Sequence, residues 1–151
     1  MNLSQNFTLA ELCKSELAIR RSIDNSPTQD VISNLQALVV NILQPVRNSL
    51  GPITINSGYR SSAVNVAVGG SSTSDHCLGM AADIEIAGYD NKMLAKFIEQ
   101  NFRFTQVILE FYEDRQPSSG WVHVSFDPDN LKYECLRAVK QNGKTVYLKG
   151  F

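Results

Sequence analysis

Cysteine is scarce in this chain, histidine scarcer and tryptophan scarcest: three, two and one among 151 residues. Cys13, Cys77 and Cys135 are odd in number, far apart and without any Cys-x-x-Cys, which excludes a disulfide framework and a cysteine zinc knuckle. Reduced thiols are expected. No apolar run is long enough to span a bilayer, and the start, MNLSQNFTLAELCKSE, lacks a basic opening, an apolar stretch and a small-residue cleavage site. A product that is cytoplasmic as synthesised is the expectation. Charge of one sign is also missing: 14 basic against 15 acidic residues, mixed along the chain, give a formal net charge of -1. That leaves no electrostatic footprint for duplex nucleic acid or an anionic membrane, so any partner is recognised locally. Internal repeats and low-complexity segments are absent.

What is present suits one compact domain over residues 1–151, with 43% of residues hydrophobic and 19% charged. Thr8 and Glu11 form a capping-box pair, flanked by a possible staple between Phe7 and Leu12, which predicts a short helix. Ser26-Pro27-Thr28-Gln29 repeats the device, with Ser26 as N-cap and Pro27 in the first helical position. The helix that follows carries Val31, Leu35, Leu38, Val39, Ile42 and Val46 at helical spacing, with a kink expected at Pro45 and an end at Gly51-Pro52. Residues 53–56 read as a strand, and 57–74 as a long loop rich in Ser, Gly and Asn, of the kind that tends to be functional. Strands are predicted over 81–86, 104–112 and 121–126, with a helix capped by Asp90 between the first two. Asn142-Gly143 marks a hairpin near the C-terminus. Helices first and strands after favour an α+β fold, with helices packed on one face of a largely antiparallel sheet.

Strand alternation puts Ala81, Asp83 and Glu85 on one face and Ala82, Ile84 and Ile86 on the core face. The same rule sets Trp121, His123 and Ser125 opposite Val122, Val124 and Phe126. If the two strands are neighbours, Asp83 and His123 line one cleft, and Gly79 lets the preceding loop bring His76 over them. Two imidazoles and a carboxylate with an open fourth position suit a catalytic zinc ion. The residue types alone leave a second reading open, of a loop histidine and a surface carboxylate that are near each other by chance.

Ser74-x-His76-x-x-Gly79-x-Ala81-x-Asp83, followed downstream by Trp121-x-His123, resembles the two zinc motifs of the D-alanyl-D-alanine carboxypeptidase and phage L-alanyl-D-glutamate endolysin family. That family includes the vancomycin-resistance dipeptidases and shares its zinc-site plan with the hedgehog domain. Ser57-Gly58-Tyr59-Arg60-Ser61, Asn65, Gly69-Gly70 and Leu109-Glu110 extend the similarity over most of the chain. The resemblance implies one zinc per chain on His76, Asp83 and His123, with Ser74 contacting substrate or supporting a ligand. It also implies a hydrolase of peptidoglycan stem peptides, either carboxypeptidase or endopeptidase, acting as a monomer on the wall after release or as part of a phage particle. Many members carry a glutamate base three residues before the last histidine, where this chain has Gly120. Glu110 is the substitute expected, ahead of Glu85, Glu113 and Asp114. The resemblance assigns Arg60 to carbonyl polarisation or substrate anchoring. Trp121 can wall the substrate, Tyr59 and Asn65 read as loop anchors, and Cys77 as packing. The rival reading is a zinc-containing module that binds peptidoglycan or a protein without cleaving it, which Gly120 favours.

Overall fold

A computed structural model describes residues 1–151. Thr8 caps α1 (Leu9–Cys13), its hydroxyl accepting from the Glu11 amide, and Ser15 caps α2 (Glu16–Arg21) in the same way. The short α2 has too little apolar periodicity to be legible in the sequence. Thr28, not Ser26, caps α3 (Gln29–Leu38). Ser26 is instead drawn into a local turn in which its amide donates to the Asp24 carboxylate, so the helix starts two residues later than the proline suggested.

The helix does not simply kink at Pro45. It passes through a π-helical segment, Val39–Leu43, before resuming as α4 (Gln44–Leu50) with Pro45 in its first turn. Proline lacks an amide hydrogen and its ring crowds the carbonyl four residues back, which here belongs to Asn41 inside the wider π turn. The apolar stripe survives the change of pitch, because Val31, Leu35, Leu38, Val39, Ile42 and Val46 are all buried.

Six strands form one sheet: β1 (Thr54–Ser57), β2 (Ala81–Glu85), β3 (Gln106–Glu110), β4 (Trp121–Ser125), β5 (Glu134–Gln141) and β6 (Lys144–Lys149). Their order is β1-β2-β4-β3-β5-β6, with every pairing antiparallel except β3 with β5. The expected α+β architecture is therefore the observed one. Ala82, Ile84, Val107, Leu109, Val122 and Val124 join the helical stripe in a single core. Residues 57–74 are not wholly loop, since Ser61 caps α5 (Ser62–Ala67), which buries Val64 and Asn65. Asp90 caps α6 (Asn91–Asn101) as predicted, and Asn142 and Gly143 both adopt the left-handed turn that joins β5 to β6.

Candidate metal centre

The core face of the sheet leaves the opposite face to polar residues. Asp83 on β2 and His123 on β4 are direct cross-strand partners, and His76 reaches them from a 3₁₀ turn, Asp75–Leu78, that immediately precedes β2. Ser74 caps that turn, its hydroxyl accepting from the His76 amide at 3.2 Å. Gly79 ends it with φ +72. All three side chains are buried, and their donor atoms lie within 4.8 Å of one another.

The hydrogen bonding constrains the roles of the ring nitrogens. His76 Nδ1 sits 2.7 Å from the Gly58 carbonyl oxygen, which can only accept, so the proton of the imidazole is on Nδ1. Nε2 then faces Asp83 Oδ1 at 3.3 Å, and His123 Nδ1 approaches the same oxygen at 3.1 Å. Two ring nitrogens converging on one carboxylate oxygen need positive charge there, either protons on the imidazoles or a metal ion among the three groups. Burial alone would raise the pKa of Asp83, but hydrogen bonds to His123 and His76 outweigh it and hold the carboxyl well below the usual range. Burial disfavours a charged His123, yet the hydrogen bond and charge of Asp83 prevail and raise its pKa. Two imidazole nitrogens and one carboxylate oxygen, with one imidazole oriented by a backbone carbonyl, fit a single zinc-class ion.

The centre lies in a cleft of about 510 Å³ whose lining includes Arg60, Ser74, Glu110 and Trp121. The structure thus brings Arg60, Ser74, Glu110 and Trp121 into one cleft with the three candidate ligands. Glu110 pairs across the sheet with Trp121 and lies one diagonal step from His123, which opposes Ile108. Such diagonal neighbours are about 7–8 Å apart. Trp121 Nε1–H donates to Glu110 Oε2 at 2.5 Å and fixes the carboxylate on the cleft side. Burial, then the charge of Asp83, raises the Glu110 pKa. Arg60 is tied down by its amide, which donates to the His76 carbonyl, and its guanidinium reaches the Ser74 hydroxyl at 3.5 Å. Its Nε is buried without a partner. Glu85 accepts from Asn56 and Asn91, and Glu113 from Gln116, so these carboxylates are engaged outside the cleft.

Gly120 explains why no carboxylate stands at the position three before His123. Its φ is +63, and a Cβ there would overlap the carbonyl oxygen of Glu110. Backbone and sterics together admit only glycine. Residues that sequence reasoning missed include Gly58, whose carbonyl holds His76, and Lys132 and Tyr147, which line the cleft from the C-terminal segment without any motif to mark them. Asn65 is the anchor expected, buried and donating to the Ser71 carbonyl at 2.7 Å, and the three cysteines are free.

A family model described as Peptidase M15 matches residues 5–125, which contain all three candidate ligands. The chain belongs to the peptidase M15 family. The zinc D-Ala-D-Ala carboxypeptidase of Streptomyces albus G is 35% identical over 108 residues, 68% of this chain and 40% of the relative. This M15 chain therefore spans less than half the length of that relative. The resemblance read from the motifs and the family membership agree, and the helical layer on a mostly antiparallel sheet suits an M15 peptidase.

Proposed function

We propose that this protein is a zinc peptidase that hydrolyses an amide bond in the peptide stems of bacterial peptidoglycan. The observation that carries the reading is the convergence of His76, Asp83 and His123 beside Glu110 and Arg60 in one cleft of an M15 chain. His76, Asp83 and His123 would hold the ion. When bound, zinc supplies Lewis-acid charge beside the scissile carbonyl and lowers the pKa of water to about 7. Glu110 takes the proton of the attacking water and delivers it to the departing amine, as a half-buried carboxylate of raised pKa is suited to do. Arg60 offers its guanidinium to the carbonyl oxygen or to a substrate carboxylate, with Ser74 steadying it. Trp121 both orients Glu110 and walls the cleft.

Metal content and hydrolysis of defined stem peptides test this together. Wild type is expected to hold about one zinc per chain and to release a new amine, with mass spectrometry naming the bond and so deciding between carboxypeptidase and endopeptidase. Glu110→Gln should keep its zinc and lose about 10²–10⁴-fold in turnover. His123→Ala should lose both. Zinc retained without cleavage of any stem would favour the binding module that Gly120 suggests, and a protein without zinc would remove both readings.

A further inference from the structure

The family match ends at residue 125, yet the cleft does not. Lys132 and Tyr147 line it from the segment that forms β5 and β6. Lys132 stands out for three reasons. It lines the same cleft as Arg60 but enters from the β5 side, with β2, β4 and β3 lying between β5 and the β1 edge that Arg60 follows. It forms no ion pair: the protein's ion pairs are His76 and His123 with Asp83, and Lys92 and Arg137 with Asp114. Its acidic neighbour Glu134 is occupied, accepting from the Gln106 side-chain amide at 2.5 Å.

The backbone that presents Lys132 is also unusual. Tyr133, the next residue, has φ 51, a left-handed conformation that a bulky side chain adopts only when its surroundings impose it. Here they do. The Tyr133 ring packs edge-on against Phe104 at 5.3 Å, its amide donates to the Phe104 carbonyl, and the Glu134 amide donates to Thr105. The turn is thereby fixed, and it sends Lys132 into the cleft ahead of the first β5 residue, near the row where Gln106 opposes Glu134. Glu110, Trp121 and Tyr147 lie on the other side of the metal-ligand row, in register with Ala138. Lys132 thus enters one end of the cleft without an ion-pair partner, Asp75 lines the cleft from the turn before β2, and Glu110 stands at the other end.

We propose that Lys132 is a specificity-determining residue that receives a carboxylate of the peptide substrate on the β5 side of the cleft. This rests on the peptide-hydrolase reading above and adds to it which feature of the peptide is selected. Two groups of a stem peptide have this chemistry, the C-terminal carboxylate and the free carboxylate of a γ-linked glutamate.

The test compares wild type, Lys132→Ala and Lys132→Arg on one stem pentapeptide and on two versions of it, each with one of those carboxylates amidated. The readouts are kcat and KM for the zinc-loaded protein, and binding followed by the fluorescence of the single tryptophan, Trp121, which lies in the cleft. Lys132→Ala should raise KM and Kd for the unmodified peptide on the order of tenfold with kcat little changed, and Lys132→Arg should restore most of that. Amidating the recognised carboxylate should weaken wild type equally and leave Lys132→Ala indifferent, which also says which carboxylate it is. If Lys132→Ala matches wild type on every peptide, or is weakened by the same factor on all three, the proposal is wrong while the hydrolase reading stands. If wild type neither binds nor cleaves any of the peptides, the hydrolase reading falls and takes this proposal with it.

Discussion

Glu110 is held where its charge is disfavoured, by burial first and by the charge of Asp83 second. An acid whose pKa is higher folded than unfolded contributes stability below its unfolded pKa, and that contribution is lost as pH rises through the folded value. At neutral pH the ionised side chain therefore weighs against folding. Glu110→Gln keeps an acceptor for the Trp121 indole and removes the charge. In protein stripped of metal, this variant should melt at a higher temperature than wild type at pH 7. The difference should shrink as pH falls through the raised Glu110 pKa and vanish below the ordinary carboxylate range. Equal melting temperatures across that window would mean that Glu110 is not strained by its surroundings. A carboxylate that costs stability marks a candidate for chemistry rather than packing.

At the scale of elements, the 3₁₀ turn Asp75–Leu78 is the least self-sufficient part of the site, and it is held by α3. Asn34 on α3 donates to the Leu78 carbonyl at 2.9 Å. Gly79 lies against Val31 and Leu35 so closely that a Cβ would press on the Val31 backbone and side chain. Gly79→Ala, at φ +72, should cost on the order of 1–3 kcal/mol and shift His76 away from Asp83. Zinc affinity measured by competition with a chelating dye should fall about 10–100-fold, as for loss of a residue that orients a ligand. A variant of unchanged affinity would show that the turn is positioned by the ligands themselves.

The same elements show how much the sequence discloses. Period-two alternation in 81–86 and 121–126 was enough to place Asp83 and His123 on one face, because burying Ala82, Ile84, Val122 and Val124 leaves the other residues only one direction. That β2 and β4 are neighbours was not legible, since cross-strand pairing is set by the whole sheet. Thr8 and Asp90 were readable as caps because side-chain capping is local. The π segment was not, because it answers a proline whose cost depends on how the helix packs, and α5 was not, because its six residues carry only one deeply buried valine. Lys132 was invisible for the same reason as the β2–β4 pairing: it enters the cleft through a left-handed residue braced from a different strand.

For the molecule as a whole, the metal centre ties the 58–78 segment to the central strands of the sheet. Gly58 follows the edge strand β1 and holds His76, which belongs to the turn docked on α3, while Asp83 and His123 sit on the two strands next to β1. Opening the 58–78 segment would separate His76 from the other two ligands, so an ion that binds all three resists that opening and global unfolding alike. A ligand bound only by the folded state stabilises it by about 2.7 kcal/mol when its free concentration is 100 times Kd. For a chain of this size that corresponds to roughly 5–10 °C in Tm. Zinc should therefore raise the melting temperature of metal-free protein by about that amount, and a chelator should reverse the gain. Hydrogen exchange should slow across 58–78 as well as in β2 and β4. His76→Ala should lose the zinc response in all of these segments together, because the ion then has no ligand outside the sheet. If zinc protected β2 and β4 but left 58–78 exchanging as fast as before, His76 would be excluded as a ligand, and its bond to Gly58 would be no more than a loop anchor.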